Sequence, residues 1–277
     1  MAHSMFEQSL STGLPGLDEV IRGLMVGDNL VWQVNNIEDY RPFVEPAYIN
    51  AVRRRQTVVY FRFANKHRPL LEASEGLEIV EVHPEDGFDA FIKNIHTVIN
   101  RNRHRALYIF DCLSELVVDW CSDRMLGNFF MLTCPHLYDV GAIAYFALLR
   151  DHHSIHATRP ISETTQILID VYRYQENIYI HPIKVQHRHS STMYDLHAWR
   201  GEVFQPVHES YTITEIKGKS PWSNLDAANY RHGFWSNTFA AAEDIQADLE
   251  RGRPAPPDLD KFIDQLLRMM ISRDERI

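Results

Sequence analysis

Residues 106–116 read Ala-Leu-Tyr-Ile-Phe-Asp-Cys-Leu-Ser-Glu-Leu. The first five are apolar, and an apolar run of this length that stops at a carboxylate predicts a short strand buried on both faces. Strands of that kind belong to parallel sheets, because helices cover both faces of such a sheet. The stretch therefore predicts a central parallel strand over Ala106–Phe110, with Asp111 at its carboxyl end.

Strands and amphipathic helices alternate around this run. The other predicted strands of the alternating part are Asn29–Val34, Thr57–Phe63, Leu77–Val82 and Gly141–Leu148. The predicted helices between them are Asp39–Arg55, His67–Ser74, Gly87–Arg101 and one near Cys121–Leu137. This order predicts an α/β fold with a mainly parallel sheet flanked by helices.

The pattern changes after Arg159, where strands follow one another without helices. The predicted strands are Thr165–Tyr174, Asn177–Arg188, Met193–Trp199 and Val203–Val207. The last two are joined by Trp-Arg-Gly-Glu at residues 199–202, which favours a hairpin turn. We therefore expect antiparallel strands added to one edge of the parallel sheet.

Four parts are expected along the chain. Residues 1–10 form a lead, 11–207 a core domain, 208–257 an extended linker with one helix, and 258–277 an amphipathic C-terminal helix. Met1–Ser4 precede a second methionine, and a vector remnant is one explanation for them. The helix in the linker is predicted over Ser236–Glu250. The apolar stripe of the last helix has to be buried on some surface, because soluble monomers rarely expose large apolar patches.

Charge and composition exclude several classes of protein. The chain has 28 basic and 37 acidic residues, a net charge of −9, which disfavours nucleic acid as a partner. Its three cysteines have no CxxC spacing, which argues for a reducing compartment. The longest apolar run, Val140–Leu149, is too short to span a bilayer, and no apolar signal segment opens the chain. We expect a cytoplasmic protein without a membrane partner.

A further motif precedes the first strand. Residues 11–18 read Ser-Thr-Gly-Leu-Pro-Gly-Leu-Asp, and Gly23 and Gly27-Asp28 follow. Here the chain resembles the RecA-like ATPases of the KaiC and RadA group, whose members open with a similar stretch. The resemblance extends to about Val207. It implies a RecA-like fold of the P-loop NTPase type.

The resemblance also implies that the first strand runs into a phosphate loop, GxxxxGK[ST], whose backbone N–H groups, lysine and hydroxyl bind phosphates and Mg²⁺. The aligned residues here are Asn35, Asn36, Ile37, Glu38, Asp39, Tyr40, Arg41 and Pro42. Asn35 and Tyr40 stand at the glycine positions, Arg41 at the lysine and Pro42 at the hydroxyl. The loop is therefore expected to be degenerate.

Two carboxylates of this loop lie where a polyphosphate would. Like charges at roughly 4 Å repel by several kcal/mol at an effective dielectric of about 20, so Glu38 and Asp39 are expected to repel ATP. Asp39 is expected to cap the following helix instead, with Pro42 in its first turn.

Three further positions follow from the resemblance. The family's Glu-Glu pair, of which one glutamate activates water, is replaced by Ala64-Asn65, and neither residue can act as a base. Asp111 resembles the Walker B aspartate that holds Mg²⁺, although without a phosphate loop we expect it only to hydrogen-bond the following turn. Arg188 is what remains of a K-x-R pair that reaches the neighbouring subunit's nucleotide.

Other side chains give weaker signals. The histidines are densest at His152, His153 and His156 and at His187 and His189, the last two on one side of a predicted strand. No cysteine or carboxylate has matching spacing, so no metal site is predicted. Ser114 lacks the GxSxG context of a hydrolase nucleophile.

Joint loss of the loop, the base and the lysine predicts a pseudo-ATPase without a cofactor. Such a domain would act as an interaction or regulatory module toward a protein partner, an adjoining domain or further copies of itself. The alternative is a nucleotide-binding protein or weak ATPase that uses Arg41 and Asp111 with ATP and Mg²⁺. In a third interpretation the stretch from Met5 and the terminal MMISRDERI resemble bacterial phosphoenolpyruvate synthase-like proteins, whose phosphotransferase chemistry would lie elsewhere in the polypeptide.

Overall fold

The computed structural model describes residues 10–63, 67–102 and 106–218. The strands are β1 (Asn29–Val34), β2 (Val58–Arg62), β3 (Leu77–Glu81), β4 (Leu107–Cys112), β5 (Ile143–Leu149), β6 (Ile167–Tyr174), β7 (Asn177–Val185), β8 (His197–Arg200) and β9 (Val203–Pro206). The α-helices are α1 (Pro15–Ile21), α2 (Arg41–Arg53), α3 (Phe88–Arg101), α4 (Leu116–Trp120), α5 (Asp123–Asp139), α6 (Ile155–Thr164) and α7 (Ser210–Gly218).

These strands form one sheet in the order β3-β2-β4-β5-β1-β6-β7-β8-β9. The pairs from β3 to β6 are parallel, whereas β6–β7, β7–β8 and β8–β9 are antiparallel. The predicted α/β class, with antiparallel strands at one edge, is confirmed. The hairpin turn is confirmed as well, since Gly201 has φ 61° between β8 and β9.

Helices bury both faces of the parallel strands. On one face α1 and α2 cover a cluster in which the Trp32 and Phe43 rings stack at 4.2 Å. On the other face α3, α5 and α6 cover a second cluster that contains the stacked pair Phe110 and Phe146, 4.5 Å apart. Burial of each such side chain contributes roughly 1.5–3 kcal/mol, so these two layers hold the sheet in place.

The opening motif has a structural role in this fold. Gly13 has φ 84°, and a Cβ atom there would lie 2.2 Å from the Pro46 carbonyl oxygen. A Cβ atom on Gly16 would lie 2.4 Å from the Glu202 carbonyl oxygen. Asp18 accepts hydrogen bonds from the serine hydroxyl and the threonine N–H that open the motif. Both glycines are thus required for the close approach of α1 to α2 and to the β8–β9 hairpin.

Several predicted elements were wrong. Residues His67–Ser74 contain bends rather than a helix. The strand predicted over Asn177–Arg188 ends at Val185, and the one predicted from Met193 begins at His197. Helices α1, α4, α6 and α7 had not been predicted. Proline stands inside α6, and α1, α4 and α7 are too short for a clear apolar period.

Helix α7 lies within the stretch predicted as a linker over 208–257. The rest of that linker, with the helix predicted over Ser236–Glu250, lies outside the described residues. So do the predicted C-terminal helix over 258–277 and residues 1–9 of the lead.

Candidate functional site

The carboxyl ends of β1, β2, β4, β5 and β6 meet at one edge of the sheet, called here the carboxyl edge. After β1 the chain enters α2 on one face, whereas after β5 it enters α6 on the opposite face. Ligands of open α/β sheets bind in the crevice between two neighbouring strands whose connections diverge in this way. The expected ligand position is therefore the crevice between β1 and β5.

Residues 35–42 follow β1 at this crevice as a 3₁₀ turn over Ile37–Asp39 and the start of α2. Asn36 caps the turn, since its side-chain oxygen accepts a hydrogen bond from the Glu38 N–H at 3.0 Å. Pro42 lies in the first turn of α2, as predicted.

The predicted cap by Asp39 is wrong. The residue before α2 is Tyr40, without a side-chain cap, and Asp39 is almost fully buried. Its carboxylate accepts a hydrogen bond from Arg173 Nε at 2.6 Å, across to the end of β6. Asp39 therefore joins the loop to the sheet instead of capping the helix, and Arg173 balances its charge.

Arg41, which the sequence resemblance aligns with a phosphate-binding lysine, is engaged by its own chain. Its guanidinium donates to the Leu70 carbonyl at 2.6 Å, the Pro69 carbonyl at 3.1 Å and the Glu38 carboxylate at 3.1 Å. The loop carboxylates are thus paired with arginines. Repulsion of ATP is consequently weaker than the sequence suggests, and the obstacle to phosphate on the side-chain level is that Arg41 is already engaged.

Tyr40 occupies the second glycine position and is completely buried. Its hydroxyl has no hydrogen-bond partner among the described residues. Burial raises the pKa of this phenol well above its ordinary value, and the nearby Tyr145 and Tyr60 raise it further. A large aromatic ring therefore fills space under the loop that a glycine would leave open.

Asp111 is fully buried at the end of β4, and both of its oxygens are engaged. Oδ1 accepts from the Tyr60 hydroxyl, and Oδ2 accepts from the Phe63 N–H at 3.0 Å. His67 Nε2 lies 3.8 Å from Oδ1. The expectation that Asp111 bonds only the following turn is thus corrected, because these partners lie on β2 and directly after it. Burial and Asp111 raise the pKa of Tyr60. Ala64-Asn65 lies outside the described residues.

Arg188 lies away from the carboxyl edge. Its guanidinium is 7% exposed and binds Asp28 before β1, with Nη1 2.8 Å and Nη2 2.9 Å from the two carboxylate oxygens. Nη1 also donates to the Gly23 carbonyl at 2.9 Å. Arg188 was expected to extend toward a neighbouring subunit. It binds instead to the segment before β1 within its own chain. His187 has φ 61° in the turn after β7, so it does not share a strand with His189.

Sequence reasoning missed the side chain that fills the crevice. Arg150 follows β5 and is 6% exposed. Its Nη1 donates to the Asn35 side-chain oxygen at 3.3 Å, and its Nη2 donates to the carbonyls of Gln33 at 3.1 Å and Val171 at 2.8 Å. It joins the ends of β5, β1 and β6. An arginine that closes a strongly apolar run was the only signal of this role.

Arg150 belongs to a row of polar side chains across one face of the sheet. Gln33 on β1, Asp170 on β6 and His181 on β7 are register neighbours. Arg150 Nη2 lies 3.7 Å from Asp170 Oδ1, and Lys217 of α7 lies 3.1 Å from His181 Nε2. Burial raises the pKa of Asp170. Burial and the Lys217 charge lower the pKa of His181 to about 3. α7 thus covers a neutral histidine and a buried ion pair.

Ser114 and His153 form a second polar contact at the carboxyl edge. Ser114 Oγ lies 2.6 Å from His153 Nε2 and accepts the Leu149 N–H at 2.8 Å. A serine and a histidine at this distance have the spacing of a nucleophile and its base. The hydroxyl is almost buried and accepts a backbone bond, so the contact ties the end of β5 to the turn after β4.

The described residues also do not meet the requirements of a metal site. In the ranges that the structure describes, no group of three or more His, Cys, Asp or Glu side chains is placed to hold a metal ion. The described part also contains no helix that is long and apolar enough to cross a bilayer.

No protein-family model matches this chain, and a search of curated proteins gives no match either. Inference of function therefore depends on the side chains of the carboxyl edge.

Proposed function

We propose that the chain is a RecA/KaiC-like pseudo-ATPase domain that acts as an interaction or regulatory module. The observation that carries the proposal is the closed crevice between β1 and β5, where Arg150 donates to Asn35. A ligand at this point would have to displace a buried guanidinium from three oxygen acceptors. Breaking such bonds without replacement costs several kcal/mol.

The loop beside the crevice supports the same proposal. Phosphate-binding loops present unpaired N–H groups and a mobile lysine to the anion. Here the corresponding arginine, Arg41, is held by two carbonyls and a carboxylate, and Tyr40 packs beneath the loop. The side-chain donor that would take the place of the lysine is therefore already engaged within the fold.

The surroundings of Asp111, the residue that would hold Mg²⁺, also support a domain that does not hydrolyse ATP. A Mg²⁺ ion at Asp111 would have to share the carboxylate with the Tyr60 hydroxyl and the Phe63 N–H, at a side chain with no exposed surface. The alternative function, a nucleotide-binding protein or weak ATPase that uses Arg41 and Asp111, requires Arg41 to leave its partners and Asp111 to become accessible. We therefore favour the module without hydrolysis, whether it stands alone or belongs to a phosphoenolpyruvate synthase-like protein.

Titration with ATP and Mg²⁺ tests the proposal. A ligand at about 100 times its Kd adds about 2.7 kcal/mol to the free energy of unfolding, a readily measured rise in melting temperature. We expect no saturable rise with millimolar ATP or ADP, and no phosphate release above buffer. A saturable rise that Arg41→Ala and Asp111→Asn both abolish would establish the nucleotide-binding alternative. The exposed Arg159→Ala serves as the matched control.

A further inference from the structure

Helix α5 presents an apolar face to solvent. Met131, Leu132 and Tyr138 are each 48–50% exposed, and Pro135 is exposed between them. The sequence between Arg124 and Asp139 contains no charged residue. The solvent face of a surface helix is ordinarily rich in charge, so this one has the composition of an interface.

The exposed residues form one stripe. At about 100° per residue, positions 124, 131, 132, 135, 138 and 139 fall within an arc of about 120°. The opposite side of α5 is buried in the second cluster through Leu126, Phe129, Phe130, Cys134 and Leu137. The stripe is therefore separate from the core of the domain.

The charged residues at the two ends of the stripe interact unfavourably with the dipole of α5. Arg124 lies in the first turn of α5 and Asp139 at its last residue. The N-terminus of a helix favours negative charge and the C-terminus positive charge, so both residues have the less favourable sign. Among the described residues neither has an ion-pair partner.

We propose that α5 is the interface with a second copy of this chain, packed antiparallel across a two-fold axis. The midpoint between positions 124 and 139 falls between Met131 and Leu132, so the axis would pass through the centre of the apolar stripe. Arg124 of each copy would then lie near Asp139 of the other, and each charge would meet a helix end that favours it. A partner of a different sequence would not require this internal symmetry.

The surface continues beyond the helix. The ring of Tyr138 lies against Gly27, where a Cβ atom would be 3.0 Å from Tyr138 Cδ2. Two residues before Gly27, Met25 is 38% exposed. A second copy placed on α5 would therefore reach an adjoining apolar side chain at each end of the contact. This inference goes beyond the proposed function, and either can fail without the other.

Sedimentation equilibrium of the full chain at micromolar concentrations tests the dimer. We expect a concentration-dependent dimer, and we expect Leu132→Glu to raise the dissociation constant by about 100-fold, because two buried carboxylates would meet at the axis. Ile49→Glu on α2, a matched apolar-to-acid change at an equally exposed residue, should leave it unchanged. Circular dichroism would verify that both variants fold. A chain that is monomeric throughout, or a dimer that Leu132→Glu leaves intact, would overturn the proposal.

A charge swap tests the orientation. Arg124→Glu and Asp139→Arg should each weaken the dimer by roughly tenfold, because each places like charges in contact twice across the axis. The double variant restores opposite charges and should recover affinity. In a monomer each single change would satisfy the helix dipole and raise the melting temperature. Stabilisation by the single changes without loss of association would therefore contradict the antiparallel arrangement.

Discussion

Arg150 links three strands from a position that water hardly reaches. Beyond its bonds to the carbonyls of Gln33 and Val171, its guanidinium lies 4.0 Å above the Tyr172 ring and 3.7 Å from Asp170. Tyr172 donates to the other oxygen of Asp170 at 3.1 Å. Within so buried a group, loss of one partner leaves the others unpaired.

Arg150→Met should lower the free energy of unfolding by about 3–5 kcal/mol, because it leaves the Asp170 carboxylate buried without its cation. Urea denaturation at pH 8 measures this loss. Arg159→Met is the matched control. Its pair with Glu163 is about 59% exposed on both sides, so we expect a change below about 0.5 kcal/mol. Equal losses from the two substitutions would contradict the role of Arg150.

The pH dependence of that loss has a definite sign. Burial raises the pKa of Asp170, so its proton is held more tightly in the folded chain. The resulting stabilisation is complete below the pKa of the unfolded chain and is lost as the pH rises through the folded pKa. Arg150 lowers this pKa, so Arg150→Met raises it further. The deficit of Arg150→Met should shrink from pH 8 to pH 5, and Asp170→Asn in the same background should remove most of the pH dependence.

At the scale of elements, the local sequence pattern predicted those strands and helices whose burial produces a regular apolar pattern. The β-branched and aromatic runs predicted β1, β2, β4 and β5 nearly to their ends, because a buried parallel strand has to be apolar on both faces. Helix α3 was predicted because its buried residues recur at helical spacing. Helix α7 has no such signal, and its docking on β6 and β7 depends on contacts with distant residues.

The candidate site also has features that the sequence predicted and features that it did not. Its positions along the chain, residues 35–42 and Asp111, could be identified from the sequence because each follows an apolar run. Their partners could not. Asp39 pairs with Arg173 at a separation of 134 residues, and Asp111 with Tyr60 at a separation of 51. No local pattern encodes such pairs, so the sequence predicted a cap for Asp39 where the fold supplies an arginine.

The apolar packing of helix α7 on the sheet is one small cluster, and that cluster can be tested. Ile216 is 3% exposed and packs with Tyr172 and Tyr179. Ile216→Ala should weaken docking by about 2–4 kcal/mol. Hydrogen exchange should then rise in residues 210–218 and around His181, which loses its cover, while β4 and β5 keep their protection. Ile213→Ala, at a half-buried position of the same helix, should have a smaller effect. Uniform loss of protection across the sheet would show that α7 is not a separable element.

At the scale of the whole molecule, the carboxyl edge is part of the core. Arg150, Tyr40 and Asp111 are each buried, and Arg150 and Asp111 bond strands or loops other than their own. Enzymes commonly keep such an edge polar and open at some cost in stability. In this chain the same positions join β1, β2, β5 and β6, so reopening the site should weaken the fold.

Installing a phosphate-binding loop sequence at residues 35–42 tests whether these residues stabilise the fold. The variant combines Asn35→Gly, Tyr40→Gly, Arg41→Lys and Pro42→Thr. It removes a buried aromatic side chain, a change of about 3–5 kcal/mol, and adds two flexible glycines. Since typical domains have only about 5–15 kcal/mol in total, urea denaturation should show a large loss. Tyr40→Phe is the control and should be neutral, because that hydroxyl has no partner among the described residues.

The variant loop should also lack catalytic activity. Even with Mg²⁺–ATP bound, Ala64 and Asn65 offer no group to activate water, so phosphate release should stay at background. The nucleotide can recover part of the lost stability, because a ligand that binds only the folded chain raises its melting temperature. Binding without turnover in a weakened fold is thus the expected result. A variant as stable as the parent would mean that the loop residues do not hold the carboxyl edge together, and multiple turnovers would mean that a base lies elsewhere at this edge.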